Sequence, residues 1–127
     1  MWNSKYRARR TELAGYSFAS KGEANCYLYL KALEQAGEVK ILQTQVQVFL
    51  TDAKILFKPD FLVRDLKLDQ DVYVEFKGFE TPEYRIKRRL WQHYGPGLLR
   101  VYKGSGNAIR LFEEIKSKKI DNVNPIE

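Results

Sequence analysis

Two β-prone segments joined by a short charged connection constrain the centre of this chain more than anything else in it. Residues 55–63 are apolar apart from Lys58, Pro59 and Asp60, and residues 72–77 alternate with a period of two. In the second segment Val72, Val74 and Phe76 point to one face while Tyr73, Glu75 and Lys77 point to the other. The connection 64–71 suits a hairpin and is too short for a helical crossover. Pairing these strands antiparallel lets Asp60, Glu75 and Lys77 converge.

Around this pair the chain reads as one α/β domain. Ser20 and Glu23 have capping-box spacing, and apolar residues at helical spacing predict a helix over about 21–36, ended by Gly37. Residues 39–50 alternate, with Gln43, Gln45 and Gln47 interleaving Thr44, Val46 and Val48, which predicts a strand with one polar face. Thr81 and Pro82 start a second helix with an apolar stripe of Ile86, Leu90 and Tyr94, and Gly95-Pro96-Gly97 stops it. Residues 98–103 predict a fourth strand, and Asn107 is read as the cap of a last helix to about Lys118. The expected order is αβββαβα. Residues 1–19 form a basic arm with an aromatic end, Tyr16-Ser17-Phe18, residues 20–119 the domain, and residues 120–127 a fraying tail.

With 127 residues, 44% of them hydrophobic and 13% aromatic, the chain can bury one core and is not disordered. No apolar run is long enough to span a membrane, no export signal opens the chain, and the lone Cys26 fits a reducing compartment. A cytoplasmic setting is expected. The formal net charge of +6 is concentrated in two clusters, Lys5, Arg7, Arg9 and Arg10, and Arg85, Lys87, Arg88 and Arg89. One such cluster alone is ordinarily a solvated surface; two flanking a cluster of acids match the footprint of a protein that meets nucleic acid.

Cleaving a phosphodiester requires a hard cation, an activated water and a stabilised leaving oxygen. Magnesium takes oxygen ligands, and Asp60, Glu75 and the carbonyl of Phe76 could supply them, with Lys77 beside the attacking water and Glu23 as a third carboxylate. Each has a plainer role as well. Glu75 and Lys77 can pair on a solvated sheet face, and Glu23 can be the acid of its own capping box. Tyr84, Lys87, Arg88 and Trp91, at helical spacing, suit a DNA groove or simple packing with the cations reaching solvent. His93 reads as a helix-end surface residue and Cys26 as core, and one Cys with one His excludes a zinc site.

Three segments, Ser20-Lys21-Gly22-Glu23, Lys58-Pro59-Asp60-Phe61-Leu62 and Val74-Glu75-Phe76-Lys77-Gly78-Phe79, together resemble the PD-(D/E)xK nuclease superfamily. Within it the chain is similar to phage nucleases related to endonuclease I, a Holliday-junction resolvase, from about Tyr16 to Tyr102. The resemblance implies a restriction-endonuclease-like αβββαβ core, a central mixed sheet flanked by helices. It also implies DNA cleavage dependent on magnesium (Mg2+) or manganese (Mn2+) without fixing the substrate, for which branched or structured DNA is the expectation. By position Glu23 matches the helix-borne acid, Asp60 and Glu75 the metal ligands, Lys77 the catalytic lysine, and Gln45 a glutamine found on the preceding strand in small phage relatives. A phage or prophage gene acting in a bacterial cytoplasm is the implied setting, and symmetric cutting suits a homodimer. Neither the basic arm nor the tail after Lys118 aligns with endonuclease I. A non-catalytic nucleic-acid-binding module, or a nuclease that prefers RNA, are the alternatives.

Overall fold

The computed structural model describes residues 10–13 and 15–121. Strands β1 (Thr11–Leu13) and β2 (Tyr16–Phe18) pair as a small antiparallel hairpin. Phe18 leaves it to enter the core, so the aromatic end of the arm is part of the domain. Helix α1 (Lys21–Gln35) follows, its first turn capped by Ser20, whose Oγ accepts from the Glu23 N–H at 3.0 Å.

The remaining elements are β3 (Val39–Thr44), β4 (Val48–Phe49), β5 (Leu56–Phe57), β6 (Phe61–Asp65), β7 (Gln70–Phe76), α2 (Pro82–Tyr94), β8 (Leu98–Lys103), β9 (Arg110–Ile115) and the short α3 (Lys118–Asp121). Five strands form one mixed sheet in the order β3-β6-β7-β8-β9, in which only β7 and β8, joined through α2, run parallel. α1 covers one face through Cys26, Tyr27 and Leu30 against Phe61, Val63, Val72 and Val74. The other face packs Leu99, Val101 and Ile115 beneath Tyr84 and Trp91 of α2 and the β4–β5 ribbon. The β7 alternation is as expected: Val72 and Val74 lie under α1, and Tyr73 packs with the α2 layer.

Four expectations are corrected. Residues 39–50 are not one strand, because Gln45 takes a left-handed φ of 55° and turns the chain out of the sheet. Residues 55–63 break as well: Pro59 cannot donate to a ladder, and Val46 and Gln45 donate instead to the carbonyls of Pro59 and Asp60, at 3.0 and 2.9 Å. β4 and β5 thereby leave the main sheet and form their own two-stranded ribbon. The predicted last helix is instead a 3₁₀ turn, Gly106–Ala108, and the edge strand β9. Its Leu111, Phe112 and Ile115 mimic helical spacing, but pairing with β8 wins. Finally, the buried side of α2 is Tyr84 and Trp91, whereas Ile86 and Tyr94 are 63% and 47% exposed. Trp91 offers the larger apolar surface, and its Nε1 finds the Gly97 carbonyl at 2.8 Å. The tail lies outside the described residues from 122 onward, α3 taking up its start.

Candidate active site

The candidate residues meet at one end of the sheet, where β6 begins, β7 ends and the first turn of α1 arrives. Three local features build this corner. Gly22 has no side chain, and a Cβ there would run into the Phe76 ring, so α1 sits close enough to bring Glu23 over the sheet end. The kink at Gln45 lets one residue serve two partners: its backbone N–H donates to the Asp60 carbonyl, and its Nε2 donates to Glu23 Oε2 at 2.8 Å. Asp60 is tied to the neighbouring strand, its Oδ2 accepting from the Phe76 N–H at 2.8 Å.

Glu75 is the centre of this corner. It is only 4% exposed; its Oε2 lies 2.9 Å from Lys77 Nζ, and its Oε1 is buried with no hydrogen-bond partner. An unpartnered buried carboxylate oxygen is costly unless a cation or donor joins it. Burial pushes the Glu75 carboxyl up to about 7 even though Lys77 pulls it down, and the charge of Glu23 adds to the rise. Asp60 is raised well above the usual carboxylate range by burial, then by the charges of Glu75 and Glu23. Glu23 is raised by burial against the hydrogen bond from Gln45. Three acids therefore compete for proton or cation, although among the described residues no three Asp, Glu, His or Cys side chains close into a ready-made metal cage.

Lys77 is partly buried and its Nζ stands 4.5 Å from the Tyr84 ring centroid. Tyr84 stays a neutral phenol, its ionisation opposed by burial and by the charges of Glu75 and Glu80. A cleft of about 400 Å³ opens over these groups, lined among others by Lys58, Glu75, Lys77, Tyr84 and Lys87.

Residues 3–120 match the family model described as a protein of unknown function, DUF1064. The chain belongs to the DUF1064 family. No curated protein matches it. In this DUF1064 protein the second basic cluster does not act as one surface. Lys87 faces the Glu75 cleft and pairs with Glu83 at 3.0 Å, whereas Arg85, Arg88 and Arg89 line a separate cleft of about 630 Å³ with Glu80, Phe112 and Glu113. Arg88 is locked by both Glu113 carboxylate oxygens. In the first cluster Arg10 holds Ser17 through its Oγ at 3.0 Å, and Lys5, Arg7 and Arg9 lie outside the described residues.

Of the other residues weighed, Cys26 is fully buried, and burial followed by the nearby acids pushes its thiol up, which suits core and not nucleophile. His93 is exposed beside Tyr94. The sequence pattern did not reveal Phe112, Glu113 or Lys103, because the segment bearing the first two was read as a helix. Nor did it separate Tyr84 the packing residue from Tyr84 the platform for Lys77.

Proposed function

We propose that this protein is a divalent-metal-dependent endodeoxyribonuclease of the PD-(D/E)xK type, acting on branched or otherwise structured DNA. The observation that carries the reading is the buried Glu75 carboxylate with one oxygen on Lys77 and the other unpartnered, next to Asp60. The succession α1, β3, β6, β7, α2, β8 supports a restriction-endonuclease-like core.

The donor set fits magnesium or manganese. Glu75 Oε1 is free to ligate, Asp60 keeps one oxygen clear of the Phe76 N–H, and the Phe76 carbonyl leaves the extended strand on the same edge as that N–H. When bound there, the ion would neutralise charge on the phosphate and acidify a water. The protein's own groups do the rest. Lys77, fixed between Glu75 and the Tyr84 ring, stands where it can orient or deprotonate the attacking water and hold charge developing on the pentacovalent phosphate. Glu23, held by Gln45, positions the water shell and keeps the local potential negative. Lys87 and Lys58 line the way in for the DNA backbone. A bacterial cytoplasm and a homodimer that cuts two strands symmetrically complete the proposal; among the described residues no helix is long and apolar enough to cross a membrane.

The second reading is a nucleic-acid-binding module without catalysis, favoured by the lack of a closed three-acid cage among the described residues. A cleavage panel of junction, flap, duplex and single-stranded DNA, run with magnesium, manganese or chelator, separates the two. The nuclease reading requires cutting that chelator abolishes and Lys77→Ala suppresses. No nicking of any substrate with either metal, and no metal binding by calorimetry, would establish the binder; preference for RNA would move the substrate class.

A further inference from the structure

The arginine cleft on the far side of α2 has an aromatic side chain placed in it by a break in strand alternation. Val101 pairs with Glu113 and Tyr102 with Leu111, so Phe112 is the extra residue of a β-bulge. Strict alternation would send Phe112 and Glu113 to opposite faces, yet both line the same cleft with Arg85, Arg88 and Arg89. Bulges of this kind re-aim a side chain, and they concentrate next to functional sites. Phe112 is half exposed although it is large and apolar, while Lys103 Nζ lies 4.0 Å from its ring centroid.

The charges are arranged unevenly. Arg88 is consumed by Glu113, and Lys103 by Glu80 at 2.8 Å. Arg85 is 67% exposed and only 3.9 Å from Glu80 at its closest, and Arg89 has no ion pair among the described residues. Two exposed guanidinium groups thus share the cleft with a half-exposed aromatic ring, one face of which carries Lys103. An aromatic ring with adjacent exposed cations, Arg89 without an ion pair among the described residues and Arg85 in a long one, matches the chemistry of one unstacked nucleotide, its base on the ring and its phosphate on the arginines. Fully paired DNA presents no free base face to such a site.

Lys103, whose Nζ lies over the Phe112 ring, links the cleft to the candidate active site across one strand spacing. β7 and β8 are parallel with Phe76 opposite Tyr102, and the Lys77 N–H donates to the Tyr102 carbonyl at 3.0 Å. Lys77 and Lys103 are therefore next to each other on neighbouring strands, roughly 5 Å apart at the backbone. We infer that Phe112, with Arg85 and Arg89, forms a stacking site for an unpaired nucleotide adjacent to the phosphate presented to Glu75 and Lys77. This rests on the nuclease reading for its placement, and it supplies a reason for selecting branched or single-stranded DNA over plain duplex.

The test is binding, not cleavage, so the two readings fail separately. Fluorescence anisotropy with an oligothymidine and with a blunt duplex, in calcium, is run on the whole protein, Phe112→Ala, Phe112→Tyr and Arg85→Gln/Arg89→Gln. Phe112→Ala is expected to weaken oligothymidine binding by roughly tenfold, the usual scale for a lost aromatic stack, with duplex affinity unchanged and Phe112→Tyr restoring it. The double arginine variant should weaken both and flatten the salt dependence. Unchanged oligothymidine binding in Phe112→Ala, or equal loss on duplex, overturns the stacking site. If the site binds as expected but nothing is cut with magnesium or manganese, the stacking site stands and the nuclease reading falls.

Discussion

Replacing Glu75 by glutamine tests whether the site is strained by its own charge. The carboxyl is held at about 7 instead of the ordinary 4.5. The folded state therefore keeps a proton that the unfolded chain has already released between those two values. Stability is full below the lower value, falls as pH rises through the window and is flat above it. The loss corresponds to on the order of 3 kcal/mol at most. Glutamine is isosteric and never charges, and it also relieves Asp60, which Glu75 pushes up. The lost 2.9 Å pair with Lys77 is already inside that figure, because the value of about 7 is net of Lys77's pull; what opposes the gain is the buried amide, which must find its own hydrogen-bond partners at a cost of about 1–2 kcal/mol. A net gain of ~1–2 kcal/mol is expected at about pH 8 in chelator, or roughly 4–8 °C in Tm. The assay is thermal unfolding of both proteins across about pH 4 to 9 in chelator, read as the difference between them. That difference should be near zero or negative at the acid end and climb to a plateau near neutrality. A flat difference, or a glutamine variant less stable than wild type at about pH 8, refutes the claim that Glu75 is held there at a cost.

Gly22→Ala should push α1 off the Phe76 ring, at a cost of about 1–3 kcal/mol in urea unfolding, and slow cleavage more than it weakens DNA binding, because Glu23 moves with the helix. Trp91→Ala empties the centre of the α2 layer between Tyr73 and Phe57 and should cost about 3–5 kcal/mol by denaturant titration. Magnesium or manganese should raise the Tm of wild type and not of Glu75→Gln, by roughly 2.7 kcal/mol equivalent at a hundredfold excess over Kd.

The parts of this fold that were legible in the sequence are those where local chemistry and tertiary context agree. Ser20 and Thr81 both cap the helices they were read to cap, and the alternation of residues 72–76 matches β7 because one face is buried under α1. The failure at residues 39–50 is a backbone interruption that side-chain pattern does not encode. Gln45 alternates correctly with its neighbours, yet its left-handed φ is imposed by partners far along the chain, Asp60 and Glu23. β9 is an edge strand with Leu111 and Phe112 exposed, so it lacks the buried-face alternation that marks a strand and passes for a helix. For α2, the packing alternative read for Tyr84 and Trp91 is the one the structure bears out, and the stripe of Ile86, Leu90 and Tyr94 fails because a tryptophan with a partner for its N–H outweighs aliphatic residues. At the candidate site, spacing pointed to Asp60, Glu75 and Lys77, but the orphaned oxygen of Glu75 and the Gln45 bridge to Glu23 are products of three-dimensional packing.

The central claim is that Glu75 and its neighbours are the cutting centre. The most direct measurement is single-turnover cleavage of a branched DNA in magnesium by wild type and Glu75→Gln, with DNA affinity matched beforehand in calcium. The account predicts equal affinity and a cleavage rate lower by on the order of a thousandfold in the variant. A Glu75→Gln protein that cuts at the wild-type rate would contradict it.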